Sequence, residues 1–177
     1  SLQASDVERT LFGREPIDGA SREIGVLEEA HRGTLLLDEV ADLWDKQRLH
    51  HVEVAAAFRR RMELITFDMR RVGLERKAQE GALRVDTVQL PDDLFLAGYC
   101  IATVDAAGLG EIESLYVEVS CRNQGLGGHL LQRSLDWLHH AGTQRITVGV
   151  AVGNERVLPF YQRFGLLPRT LILERPP

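Results

Sequence analysis

Lysine is nearly missing from this chain. Lys46 and Lys77 are the only two, against nineteen arginines. Asp45 precedes Lys46 and Arg76 precedes Lys77, so neither lysine follows a glycine. That removes the P-loop, GxxxxGK followed by Ser or Thr, in which a lysine must reach the outer phosphates of a nucleotide. Cysteine is equally scarce. Cys100 and Cys121 lie far apart and in no CxxC pair, which excludes a disulfide framework or zinc ribbon and reads as two free thiols. Excess positive charge is also lacking. A net charge of −5 argues against a nucleic-acid partner, whose binding depends on neutralised phosphates. No apolar run approaches the roughly 20 residues of a membrane span. No secretion pattern opens the sequence, so no membrane partner and a cytoplasmic location are expected. The paired histidines, His50–His51 and His139–His140, lack the i, i+4 spacing of a helical metal clamp, so no metal is expected.

What is present is ordinary for a globular protein. With 44% hydrophobic and 27% charged residues, 177 residues allow one domain with a sizeable core. From residue 81 onward strand and helix patterns follow one another. LRVDTVQL (83–90), LFLAGYCIATV (94–104) and EIESLYVEV (111–119) read as strands, separated by PDD (91–93) and DAAGLG (105–110). Such short connections predict an antiparallel meander. Leu126, Leu130, Leu131, Leu135 and Leu138 recur at helical spacing over about 126–140. RITVGVAV (145–152) predicts a buried strand, FYQRF (160–164) a helix with Asn154 placed to cap it, and RTLILE (169–174) a closing strand. Pro159 should bend the start of that helix or delay it. Residues 40–80 read as two helical pieces with a solvated arginine-rich face.

Between the third strand and the leucine helix stands CRNQGLGGHLLQRSL (121–135), with three glycines in four positions. A glycine-rich strand-to-helix loop offers bare backbone N–H groups at the positive end of a helix dipole, which suits phosphate. The dinucleotide fingerprint GxGxxG, begun at Gly125, fails because Leu130 stands where glycine or alanine is needed. RNQGLGG (122–128) does resemble the R/Q-x-x-G-x-G/A loop of the GNAT acyltransferase superfamily, which holds the pyrophosphate of acetyl-coenzyme A. GEIESLYVEVSCRNQGLGGHLLQRSLDWL (110–138) is similar to that family's core strand, loop and helix. VGVAVGNERVLPFYQRFGLLPR (148–169) resembles its second signature, an asparagine followed seven residues later by a tyrosine. The resemblance covers roughly 34–177.

The resemblance implies an α/β fold: a mixed, mostly antiparallel sheet with a splayed central strand pair and flanking helices. It also implies an enzyme, an acyl-coenzyme A-dependent N-acyltransferase that moves acetyl to a primary amine by direct attack. Main-chain groups at Leu115, Tyr116 and Val117 would line the slot for the pantetheine arm, with the Val117 N–H polarising the thioester carbonyl. Arg122, Asn123, Gln124, Gly125, Leu126, Gly127 and Gly128 would hold the pyrophosphate, and Asn154 would bond the pantetheine arm. Tyr161 matches the tyrosine that donates to the departing sulfur. Glu111 occupies the position where some members carry a general base, while others use a water chain. The same spacing puts Glu111 and Glu113 on one strand face. Cys121 reads as a spectator thiol. Many members have proline where Val119 stands, which alters the loop's entry but not its donors. The acceptor is a small-molecule or peptide amine, and a homodimer is compatible with this reading.

The first part of the chain follows a different pattern. ERTLFGREPIDGASREIGVLEEAHRGTLLLDEVADL (8–43) resembles a stretch of the AAA+ domain of sigma-54-dependent activators, with Walker B acids falling on Asp38 and Glu39. Without a P-loop that pair has no phosphates to serve. TLLLDEV (34–40) is instead expected to supply the first strand of the sheet. Residues 1–33 then form an extension before an acyltransferase domain at 34–177, as if two unrelated segments had been joined. Two alternatives to the enzyme stay open: a GNAT-fold module that senses acyl-coenzyme A without turning it over, and an ATP-dependent activator fragment.

Overall fold

The computed structural model describes residues 29–30, 37, 40–89 and 96–176. Among these, five strands form one sheet in the order β1-β2-β3-β4-β5. They are β1 (Glu29–Ala30), β2 (Ala82–Gln89), β3 (Leu96–Val104), β4 (Leu109–Val117) and β5 (Arg145–Val148). The first four pair antiparallel and β5 joins β4 in parallel. This is the α/β, mixed and mostly antiparallel sheet expected from the sequence. Asp105 fixes the β3–β4 turn by accepting the Ala107 and Leu109 amides at 2.9 and 2.8 Å on its carboxylate. The PDD turn lies outside the described residues.

Helices cover both faces. On one face lie α1 (Ala41–Val54), α2 (Arg59–Leu64) and α3 (Phe67–Glu80). Leu43, Trp44 and Leu74 of this layer bury against Val85, Tyr99, Ile101 and Tyr116 of the sheet. On the other face, α4 (Leu126–His140) buries all five predicted leucines against Val88, Cys100, Ala102 and Ile112. A run of leucines at helical period thus becomes one buried stripe. The short α5 (Leu158–Gln162) packs Phe160 and Tyr161 against the same core. No helix among the described residues is long and apolar enough to cross a membrane.

Five local expectations are corrected. The helical stretch 40–80 has three helices and a 3-10 turn, Ala56–Phe58, rather than two pieces. The strand expected over TLLLDEV is contradicted at the two residues described there: Leu37 is helical and Val40 has right-handed helical backbone angles. The reason is its period, since Leu37, Val40 and Trp44 all bury in one cluster at three- and four-residue spacing. The first described strand is β1, which pairs Glu29 with Asp86 and Ala30 with Val85. Asp38 and Glu39 lie outside the described residues. In the third case, β5 stops at Val148 instead of continuing to 152, and it is half-buried and exposed by turns rather than wholly buried. RTLILE forms no strand; Leu171, Ile172 and Leu173 are exposed, and strand propensity without a neighbour makes no ladder. Finally, Pro159 does not delay its helix, which starts one residue before it. It sits in the first turn, where its missing N–H costs nothing.

Candidate active site

The sheet parts at β4. Its parallel pairing with β5 runs only from Leu109 opposite Arg145 to Ile112 opposite Val148. Among the described residues, 113–117 then continue beside β3 alone. A bulge starts the parting: Ile101 opposes Ser114 and Ala102 opposes Ile112, so Glu113 is the extra residue on β4. A bulge bends its strand and sharpens the twist, which carries the second half of β4 away from β5. The result is a wedge with its apex at Ile112.

Backbone parity decides what the wedge offers. The Glu118 N–H bonds the Ala97 carbonyl of β3 at 2.8 Å, so the backbone groups of 114 and 116 also face β3. The amides of Leu115 and Val117 therefore face the open side. The carbonyls of 113, 115 and 117 face it too, and each accepts a side-chain donor. Arg70 of α3 reaches Glu113 O at 3.1 Å, Gln47 of α1 reaches Leu115 O at 3.2 Å, and Arg122 reaches Val117 O at 2.9 Å. Tyr116, expected as a third main-chain contributor, turns its backbone to β3 and its ring to the α1 layer.

Beyond β4 a 3-10 turn, Val119–Cys121, leads through the glycine loop to α4. Cys121 is buried in the core. Arg122 stacks over the Tyr116 ring, 5.5 Å from its centroid. Asn123 and Gly125 have positive φ, 62° and 86°. No side chain caps α4. The first-turn amides at Leu126, Gly127 and Gly128 have no intrahelical acceptor, as at any helix start. Only Gly125 needs to be glycine for backbone reasons. A Cβ at Gly127 or Gly128 would sit 3.5–3.8 Å from Val117, Phe160 or Phe164, an ordinary contact.

Tyr161 borders the same core as Leu115 and Val117, on the α4 side of the wedge. Its hydroxyl makes no hydrogen bond among the described residues. Burial, with a smaller contribution from nearby Cys100, pushes its pKa up to about 12. The phenol stays protonated and able to donate at any neutral pH.

The two glutamates stand on the other sheet face, under α3. Glu113, next to the apex, has a buried side chain bonded by Arg70 at 2.6 Å, by the Thr103 hydroxyl at 2.6 Å and by Lys77. Burial opposes its ionisation, but the Lys77 and Thr103 bonds and the Arg70 charge outweigh this and hold it below the usual carboxylate range. Glu111 is more exposed, sits within the β5-paired stretch and is ion-paired to Lys77 at 2.7 Å. Burial lowers the Lys77 pKa, yet its two carboxylates raise it further, so it stays an ammonium. Asn154 precedes the 3-10 turn Glu155–Val157, but its side chain does not cap it. Its carboxamide lies 3.4 Å from His50 Nε2 of α1, which also receives Arg156 at 2.9 Å. Tyr161 and the wedge amides thus meet on one face, while Glu111 and Asn154 point to the α1–α3 layer. Sequence reasoning missed Gln47, Arg70 and Lys77. Arg70, Leu74 and Lys77 share one helix face at i, i+4 and i+7, the one signal that could have found two of them.

A strand parted by a bulge thus stands beside an uncapped helix start. The acetyltransferase (GNAT) family model matches residues 68–166, and the chain belongs to this family. Solved structures share the fold. A Pyrococcus furiosus protein described as an acetyl transferase superposes with a TM-score of 0.58 at 19% identity, over 85% of this chain and 97% of that one. A mutant Bacillus halodurans protein gives 0.63 at 16% identity, over 84% and 97%. Glucosamine-6-phosphate N-acetyltransferase from Arabidopsis thaliana gives 0.52 at 12% identity, over 84% and 95%. One further likeness is to a protein of a different kind. A 37-residue stretch, 21% of this chain, is 57% identical to the nitrogen assimilation regulatory protein NtrX of Azorhizobium caulinodans and spans 8% of its length.

Proposed function

We propose that this chain transfers acetyl from acetyl-coenzyme A to a primary amine by direct attack within a ternary complex. The observation that carries the reading is the unpaired edge of β4 beyond Ile112, set beside the uncapped start of α4. Amides of residues 123–128 would hold the pyrophosphate, with Arg122 adjoining. That Gly127 and Gly128 are bare although protein packing leaves room for a Cβ supports the close approach of a ligand there. The pantetheine arm would lie along the outward amide of Leu115, and the Val117 N–H would take the thioester oxygen as it gains charge.

The ammonium first gives one proton to Glu111, directly or through water, which frees the nitrogen lone pair. The neutral amine then attacks the acetyl carbon, the carbon–sulfur bond breaks, and Tyr161 protonates the departing sulfur. The second proton of the nitrogen leaves through water and restores the Tyr161 phenol, while Glu111 returns its proton to solvent. An incoming cationic amine would compete with Lys77 for Glu111, which explains why a paired carboxylate can still serve. Asn154 would bond the pantetheine arm after leaving His50.

Thermal shift tests the donor. Acetyl-coenzyme A at a hundred times its dissociation constant should stabilise the fold by about 2.7 kcal/mol, while Mg-ATP should do nothing. A rise with Mg-ATP alone would instead favour the activator-fragment reading. Turnover against amines, polyamines, amino acids and peptide N-termini then finds the acceptor. Binding without turnover across that panel, with Tyr161→Phe unchanged, would favour a sensing module.

A further inference from the structure

The acyl-donor reading leaves Gln47 without a role, yet its contacts are unusually well defined. Its Oε1 accepts the Tyr99 hydroxyl at 2.6 Å and its Nε2 donates to Leu115 O at 3.2 Å. Tyr99 is fully buried and belongs to β3, the one strand that still holds β4 beyond the bulge. Because Tyr99 supplies the proton to Oε1, the carboxamide can present only its NH2 to Leu115. Burial raises the Tyr99 pKa well above the ordinary phenol range, so it stays a donor.

Leu115 is the first residue beyond the bulge whose N–H and C=O both face the wedge. A strand edge without a neighbour leaves its polar groups unpaired and its direction free. At Glu113 and Val117 that role falls to arginines, Arg70 and Arg122, which are bound elsewhere as well, to the Glu113 carboxylate and over the Tyr116 ring. At Leu115 it falls to a neutral amide with the same donor chemistry as a backbone N–H. We infer that Gln47 is a positioning residue: its carboxamide, aligned by Tyr99, replaces the missing strand neighbour at Leu115 and holds the wedge amides of Leu115 and Val117 at the angle the acyl arm requires. The carbonyl's second lone pair remains free for the ligand.

The inference rests on the acyl-coenzyme A reading, and two ligands separate them. Adenosine 3′,5′-bisphosphate can touch only the loop, whereas acetyl-coenzyme A also uses the wedge. Calorimetric titration of Gln47→Met, which keeps side-chain length but cannot hydrogen-bond as an amide, should show acetyl-coenzyme A binding weakened about tenfold. That is the size expected for one well-placed hydrogen bond. The bisphosphate should bind as in wild type. Gln47→Glu should lose at least as much, since its second oxygen would face Leu115 O, whereas Gln47→Asn should recover nothing because it is too short to span the gap. Tyr99→Phe, a mild core change, should lose about threefold by freeing the carboxamide to turn, and it carries the test if Gln47→Met does not fold. Wild-type acetyl-coenzyme A affinity in both Gln47→Met and Tyr99→Phe overturns the inference. So does parallel weakening of both ligands, which marks a general structural role. If the wild type binds neither ligand, the donor-site reading falls first and this inference with it.

Discussion

Removing the Tyr161 hydroxyl should separate binding from chemistry. In Tyr161→Phe the ring keeps its packing against Phe160, 5.1 Å away edge-on, and against the α4 core. The hydroxyl has no hydrogen-bond partner among the described residues, so no protein group is left unsatisfied. Its loss should shift stability by less than about 1 kcal/mol. General acids contribute roughly 10²- to 10⁴-fold. Here the phenol, with its pKa pushed up to about 12, must pass a proton to a thiolate whose reference pKa is about 8.5, a transfer uphill by about 5 kcal/mol. That mismatch places the benefit at the low end, so kcat should fall about a hundredfold. KM for acetyl-coenzyme A should stay within about twofold, because the hydroxyl acts on the leaving sulfur rather than on the bound thioester. The assay is steady-state release of free thiol between pH 6 and 9, beside a binding titration. Over that range the donor stays protonated, so the wild-type pH profile should show no limb from Tyr161. Retention of more than half of kcat, with unaltered acetyl-coenzyme A binding, would refute the role.

Gly127→Ala should hold or raise the melting temperature, since alanine is the better helix former by up to about 1 kcal/mol and its Cβ meets only ordinary contacts. Coenzyme A affinity measured by titration should nonetheless drop, and unchanged affinity would place the pyrophosphate elsewhere. At Gly153, φ is 86° and a Cβ would lie 2.2 Å from the Val54 carbonyl oxygen. Gly153→Ala should therefore cost about 3 kcal/mol in urea unfolding, through combined strain and overpacking. Glu113→Gln should cost about 3 kcal/mol, the lower end for breaking a buried ion pair, because Arg70 and Lys77 are partly exposed. The folded-state pKa of Glu113 is depressed, so its contribution is present above the ordinary carboxylate value and is lost as pH falls through the lower folded value. The wild type should lose stability across that acidic window and the variant should lose less, as followed by circular dichroism. For Tyr161 the sign is opposite. Its raised pKa makes the wild type lose stability as pH rises from about 10 to about 12, a limb that should be shallower in Tyr161→Phe.

Local pattern announced much of this site and little of its working geometry. The α4 leucines, the meander and the glycine loop were legible because each depends on period or on a residue type with its own backbone preference. The parting of β4 from β5 was anticipated only through family likeness, because a bulge at Glu113 leaves no mark in a period-two pattern. The misread TLLLDEV shows the reverse error. Its residues favour strands, but the spacing of Leu37, Val40 and Trp44 lets them share one helix-facing cluster.

What the chain's order of residues determined by itself is the presence of a strand, a bare-backbone turn and an amphipathic helix in succession, since these need only neighbouring residues. Tertiary structure alone decided which carbonyls Gln47, Arg70 and Arg122 take, that Lys77 spans Glu111 and Glu113, and that Asn154 faces His50. Most of these partners lie tens of residues apart. Their meeting depends on how α1 and α3 cross the sheet, which no local pattern encodes.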